Sequence, residues 1–167
     1  ISSQVDEVFT VEQCLYAIMV ASANDIALQI AEHVGGSVDG FVQQMNTRAQ
    51  ELGCTNTVFT NPTGLPDDNQ HTTAHDMALI MQAAIHKAAA RNLTSKFTMT
   101  DTGSTGFYEG CIGGKEGYTE ASGSTLVCAA QRNGMTLISV VLKGASGQEE
   151  SVSDAEKALE DHETPLL

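Results

Sequence analysis

Basic residues are scarce in this sequence. Eight Lys and Arg stand against 21 Asp and Glu, a net charge of −13 with His neutral. A chain this acidic, with no basic stripe, is a poor partner for nucleic acid or for an anionic membrane surface. Long apolar runs are missing too. The longest, Leu15–Ala21 and Leu137–Leu142, fall far short of the roughly 20 residues a spanning helix needs. No basic segment leads into an apolar one, so no signal peptide is visible. There is no Cys-x-x-Cys pair: Cys14, Cys54, Cys111 and Cys128 are scattered, which argues against a zinc ribbon or a thioredoxin-type motif. Four cysteines permit two disulfides, but small buried hydrophobes are the better expectation. The chain opens at Ile1 rather than Met, and is read as cut from something longer.

What is present suffices for one domain or part of one. The 167 residues are 41% apolar, and a compact chain of this length buries roughly 70% of its unfolded surface. Thr10 and Gln13 have capping-box spacing ahead of an apolar stretch through Val20. Ser22-Ala23-Asn24-Asp25 interrupts it. A second helix is expected over Ile26–Val34, ending at Gly35-Gly36. Ser37 caps a third, whose stripe Val38, Phe41, Val42, Met45, Ala49 and Leu52 has helical spacing and stops at Gly53. Thr55–Phe59 reads as a short extended piece, and Asn61–Pro66 as a turn. Thr73 and Asp76 resemble another cap, before Met77, Ile80, Met81, Ala84, Ile85 and Ala88 on one helix face. Arg91–Gly106 reads as loop with at most a short strand. Ser124–Ala130 and Met135–Leu142 are β-rich, and Asn133-Gly134 between them marks a tight hairpin. Tyr108–Tyr118 supplies the preceding strand, and Ser153 and Glu156 cap a last acidic helix to about Asp161. Helices, three strands, then a helix predict an α+β fold with a partial antiparallel sheet. The helical part spans 8–92, and the sheet with its C-terminal helix spans 107–162.

Three groups could carry chemistry. Ser22 and Asn24 sit where two helical stretches meet, so a hydroxyl and an amide can both point into a cleft. Taken alone, the pair reads first as a helix cap. Lys115 lies inside Gly113-Gly114-Lys115-Glu116-Gly117-Tyr118-Thr119, at the expected end of a strand. A cation beside Gly on an edge strand lets a ligand backbone approach and gives its carboxylate a partner. Alone, it is an ordinary edge-strand lysine. His71 and His75 are four apart beside Asp76, but His71 precedes the helix and no third ligand follows. The pattern therefore predicts no metal site, and nothing in it calls for a cofactor. Asn92-Leu93-Thr94 is a formal glycosylation sequon, without weight outside a secretory context.

Their linear order is more specific than any of them singly. Val11–Asn24 with Asp25-Ile26-Ala27, then Phe41–Asn46, Glu51–Leu65, Thr73-Ala74-His75-Asp76, Gly113–Thr119, Leu126-Val127 and Gly134–Leu142 together resemble one family. This is the serine-type D-Ala-D-Ala carboxypeptidases, the low-molecular-weight penicillin-binding proteins. The resemblance implies an incomplete β-lactamase/transpeptidase-like fold. It also implies an acyl-serine mechanism: the serine of a Ser-x-x-Lys motif takes the acyl group of a peptidoglycan stem peptide, D-alanine leaves, and water hydrolyses the ester. β-Lactams acylate the same serine. The Ser-x-Asn motif falls on Ser22 and Asn24, a proton shuttle and a substrate-amide holder. The Lys-Thr-Gly motif falls on Lys115, Glu116 and Gly117, with Tyr118 and Thr119 continuing the substrate-binding strand. An extracytoplasmic parent protein follows from the same resemblance. A class A β-lactamase fits less well, since that class usually carries Asp where Ala23 stands.

Three departures matter. The five lysines Lys87, Lys96, Lys115, Lys143 and Lys157 are preceded three residues earlier by Ala84, Leu93, Ile112, Val140 and Asp154, so Ser-x-x-Lys is absent. In the family it lies upstream of Ser-x-Asn. Glu116 also stands where the family carries Thr or Ser, whose hydroxyl donates to the substrate carboxylate. Ala145 stands near where related enzymes can carry Arg. The chain alone is therefore expected to be inactive. Its truncated sheet is expected to leave an apolar face uncovered and to favour a homodimer or a swapped assembly through the sheet edge. Glu116 favours the alternative of a non-catalytic binding or scaffolding module; an excised or engineered fragment is a third reading.

Overall fold

The computed structural model describes residues 1–87 and 107–144. The expected helix from Ser153, the short strand within 91–106, the sequon at Asn92 and the position of Ala145 lie outside the described residues. The chain divides into two compact units, residues 1–72 and 73–167.

The first unit is built from three helices: α1 (Val11–Ala21), α2 (Asn24–Gly35) and α3 (Val38–Glu51). α1 starts at the expected capping box. Gln13 N donates to Thr10 Oγ1 at 3.2 Å, and Thr10 N donates to Gln13 Oε1 at 2.8 Å, which satisfies two backbone donors at the helix start. Its other end is closed by backbone: Ser22 is left-handed, with φ 49°, its N donates to Ala17 O across six residues, and Ala23 N donates to the same oxygen at 3.1 Å. α1 and α2 pack through Cys14, Ala23 and Ile26, with Phe9, Ala17, Ile18 and Ile30 around them. Ile26 is fully buried, which stabilises the unit by about 1.5–3 kcal/mol. The turn from α2 to α3 is tight. A Cβ on Gly35 would stand 2.4 Å from Phe41 N, so only glycine fits there. Ser37 Oγ accepts from Gly40 N at 3.0 Å and starts α3.

Beyond α3 the chain holds its shape with polar side chains. Phe59 N donates to Asn46 Oδ1 at 2.8 Å, and Asn46 Nδ2 donates to Phe59 O at 2.8 Å, so one amide stands in for a strand partner. Val58 and His71 exchange backbone bonds at 2.9 and 3.1 Å. The loop they close is knotted by Asn61. Its Oδ1 accepts from Thr63 N, Thr63 Oγ1 and Gly64 N at 3.1, 2.9 and 2.8 Å, and its Nδ2 donates to Leu65 O at 3.0 Å. This is an Asx turn extended over the whole Asn-Pro-Thr-Gly-Leu segment.

The second unit opens with α4 (Ala74–Ile85), capped by Thr73 Oγ1, which accepts from Asp76 N at 3.1 Å. Its described residues form three strands, β1 (Cys111–Thr119), β2 (Gly123–Arg132) and β3 (Met135–Gly144), an antiparallel meander in the order β1-β2-β3. β2 and β3 meet at Asn133 and Gly134, both with positive φ (51° and 79°). That matches the type I′ turn whose twist suits a two-residue hairpin. The strands therefore run further than the β-rich stretches alone suggest, because pairing reaches Arg132 and Met135.

Alternation along β2 gives the sheet two buried faces. Met81 and Ile85 of α4 pack on Ala129, with Ile112, Val127 and Ile138. On the opposite face Leu126, Cys128 and Ala130 pack with Tyr108, Cys111, Leu137 and Val141. Arg132 lies 4.8 Å above the Tyr108 ring, within cation–π range. Leu126, Cys128 and Ala130 are buried, with Tyr108 from the lead-in to β1 packed among them. Among the described residues no disulfide joins Cys14, Cys54, Cys111 and Cys128, and all but Cys111 are buried. Among the described residues no helix is long and apolar enough to cross a membrane.

Candidate active site

The sequence-predicted site residues fall in two places, each within its own unit. Ser22 and Asn24 flank one residue, Ala23, at the α1–α2 junction. Ala23 is buried at 3% exposure and is the N-cap of α2 without any side-chain bond. It anchors the junction in the core while Ser22 and Asn24 are exposed on either side. Neither side chain caps α2, and neither has a hydrogen-bond partner among the described residues. Ser22 occupies a left-handed backbone position that costs a non-glycine residue about 1–2 kcal/mol. Glycine would end α1 with less strain.

Asp25 follows, a group the sequence reading left without a role. Its carboxylate accepts from Ser3 N at 2.8 Å and from Ile26 N at 3.0 Å. These bonds, that from Ser3 foremost, with the Ile1 ammonium 3.2 Å away, lower its pKa to about 2 against the opposing effect of desolvation. An acid in the first turn of α2 also suits the helix dipole. The signal was readable as an Asp behind a candidate cap, but its partner Ser3 lies 22 residues away and leaves no local pattern.

Lys115, Glu116, Gly117, Tyr118 and Thr119 are brought together along β1, an edge of the three-stranded sheet. Lys115 stands opposite Val127 and Glu116 opposite Leu126. Lys115 is half-buried and its Nζ donates to Glu116 O at 2.6 Å. Burial pushes its pKa down from the ordinary lysine value, while the charge of Glu116 opposes the shift. A desolvated lysine nearer to neutrality is suited to proton transfer. Gly117 and Tyr118 are exposed. A Cβ on Gly117 would come within 3.1 Å of Thr125 Oγ1, the hydroxyl that donates to Gly117 O at 3.0 Å. Glycine thus keeps this stretch of strand slim, and Thr125 holds its carbonyl. No sequence pattern pointed to Thr125, since its role follows from strand register.

The remaining candidates are apart. His71 sits in the bridge with Val58 and takes its Nδ1 contact from Asn69 O at 3.1 Å; His75 is exposed on α4, 3.5 Å from Asp76. Cys111 is no rival nucleophile. Burial pushes its thiol pKa up, against a weak bond to Gly113 O, so the thiolate is disfavoured.

A family model described as D-alanyl-D-alanine carboxypeptidase matches residues 1–146. The chain belongs to that family. A family member from Bacillus subtilis, D-alanyl-D-alanine carboxypeptidase DacF, is 34% identical over 167 residues, covering 92% of this chain and 43% of its own length. A mutant of a Streptomyces DD-transpeptidase superposes with a TM-score of 0.84 at 27% identity, over 95% of this chain and 71% of the other. A penicillin-binding protein from Listeria monocytogenes, solved in a cefotaxime-bound form, gives 0.77 at 28% identity, over 93% and 68%. The α+β fold is therefore the one these penicillin-binding proteins share. The chain spans about half the length, or less, of the curated carboxypeptidases it matches first.

Proposed function

We propose that this chain carries the Ser-x-Asn and Lys-x-Gly portion of a serine-type D-Ala-D-Ala carboxypeptidase that trims peptidoglycan stem peptides outside the cytoplasm. The helical part over 8–92 and the sheet part over 107–162 are then pieces of one partial penicillin-binding domain. The observation that carries the reading is the match over residues 1–146, which includes both motif positions. The local geometry supports it: Ser22 is held in a strained, exposed conformation, its hydroxyl without a partner among the described residues, and Lys115 is a desolvated cation on an edge of the three-stranded sheet.

The chain's own residues then divide the work. Ser22 Oγ passes a proton, and the Asn24 amide holds the carbonyl or amide of the substrate. Lys115 supplies positive charge and tunes the proton transfer, while the backbone at Gly117 pairs with substrate backbone. The acylated serine must come from a Ser-x-x-Lys that these 167 residues do not contain, so the chain by itself does not turn over.

The test is a fusion. The N-terminal portion of the Bacillus subtilis relative that precedes the matched region is joined to this chain, and benzylpenicillin acylation is followed by intact mass. The fusion should form a one-to-one adduct, and Lys115→Ala should slow acylation by about a hundredfold or more. A folded fusion that stays unmodified would count against the reading and favour a non-catalytic binding module.

A further inference from the structure

The residue after Asn24 ties the α1–α2 junction to a distant segment of the same unit. Ala23, the N-cap of α2, makes no side-chain bond, so the first amides of the helix need another acceptor. Asp25 provides one: its Oδ1 accepts from Ile26 N at 3.0 Å. The same carboxylate reaches back 22 residues, where Oδ2 accepts from Ser3 N at 2.8 Å. Ile1 N lies 3.2 Å from Oδ1. One turn further along α2, Gln29 Nε2 donates to Ser3 Oγ at 2.8 Å. Asp25 and Gln29 are four apart and share a helix face, so Ser3 is gripped through its amide and its hydroxyl together. The leading segment is also pinned at Phe9, which packs on Cys14, Ala23 and Ile26. Ser22 and Asn24 therefore stand exposed around and beside two fixed points. Ala23 is locked from the core, and Asp25 from the leading segment.

We propose that Asp25 is a positioning residue for the Ser22–Asn24 pair: by clamping the leading segment at Ser3 to the first turn of α2, it fixes the direction in which the Asn24 amide meets a substrate. The role rests on Ser22 and Asn24 belonging to an acyl-transfer site, and adds what aims them. Asn24 is the first residue of α2, so tilting or fraying of that turn moves its side chain directly. Misplacing a substrate-holding group by about 1 Å can cost about a hundredfold in rate. A hydrogen bond near the surface adds only modestly to stability. The two effects are therefore separable.

The test uses the fusion that carries the N-terminal portion of the Bacillus subtilis relative, with benzylpenicillin acylation rates read by intact mass. Asp25→Ala should slow acylation about tenfold or more. Asp25→Asn keeps an oxygen for one of the two amides and should recover most of that loss. Ile30→Val is the comparison. It loosens the core around Ala23 and Ile26 without removing either bond to Ser3, and should leave the rate nearly unchanged at a matched loss in urea midpoint. In the 167-residue chain, hydrogen exchange at the Ser3 amide should be faster in Asp25→Ala than in Asp25→Asn. Gln29→Ala releases only the Ser3 hydroxyl and should slow acylation about two- to threefold; if Asp25→Ala does not fold, an unmoved rate in Gln29→Ala overturns the role. Acylation unmoved by Asp25→Ala, or slowed equally by Ile30→Val, overturns it while leaving the acyl-transfer site standing. So does a Ser3 amide whose exchange Asp25→Ala leaves unchanged. An unsubstituted fusion that is inert refutes the acyl-transfer site, and the role of Asp25 with it.

Discussion

Ser22 is the residue on which the two readings of the α1–α2 junction separate. If it served only to end a helix, removing its hydroxyl would cost the about 1 kcal/mol that a lost capping bond costs. Its Oγ has no partner among the described residues, so Ser22→Ala should move the urea midpoint very little. Ser22→Gly should leave stability unchanged or raise it by up to about 1 kcal/mol, because glycine accepts φ 49° without strain and gives back part of that gain in unfolded-chain entropy. Both variants should cost the fusion protein most of its penicillin acylation rate. Stability and reactivity moving in opposite directions mark a residue kept for function. The motif at Ser22 and Asn24 was legible through the family resemblance, but the pair taken alone looks like a cap. Only the left-handed φ and the buried Ala23 between the pair distinguish the two. Asn61, by contrast, could have been read further: an Asn ahead of Pro-x-Gly is an Asx-turn signal, and it makes four of the bonds that hold its loop.

At the scale of elements, local chemistry was a good guide wherever the determining residues are close in sequence. The capping box at Thr10 and Gln13, the cap at Ser37, the cap at Thr73 and the Asn133-Gly134 hairpin all stand where their motifs place them. The hairpin offers a clean measurement of its own turn. A Cβ on Gly134 would meet nothing within 4 Å, while φ there is 79°. Gly134→Ala therefore carries a backbone cost and no steric one, about 1 kcal/mol in the urea midpoint. A much larger loss would mean that the turn is packed against something else. What the sequence did not disclose is non-local. Tyr108 packing with Leu126, Cys128 and Ala130, with Arg132 stacked on its ring, joins residues some 20 apart. The Glu116 position is similar: its identity was plain from sequence, but its place across from a buried Leu126 needed the register.

For the whole molecule, the α+β class, the antiparallel order of three strands and the family could all be inferred from the chain, the last from motif order over more than a hundred residues. Ser-x-Asn and Lys-x-Gly were each too short to carry it alone. The account's central claim is that these residues hold the supporting half of an acyl-transfer site without the nucleophile. Intact-mass spectrometry of the 167-residue chain after incubation with excess benzylpenicillin tests this directly, with circular dichroism on the same sample to establish the fold. The account predicts a folded chain at unmodified mass. A stoichiometric penicilloyl adduct would contradict it, and Ser22 would be the first residue to replace in locating the reacting hydroxyl.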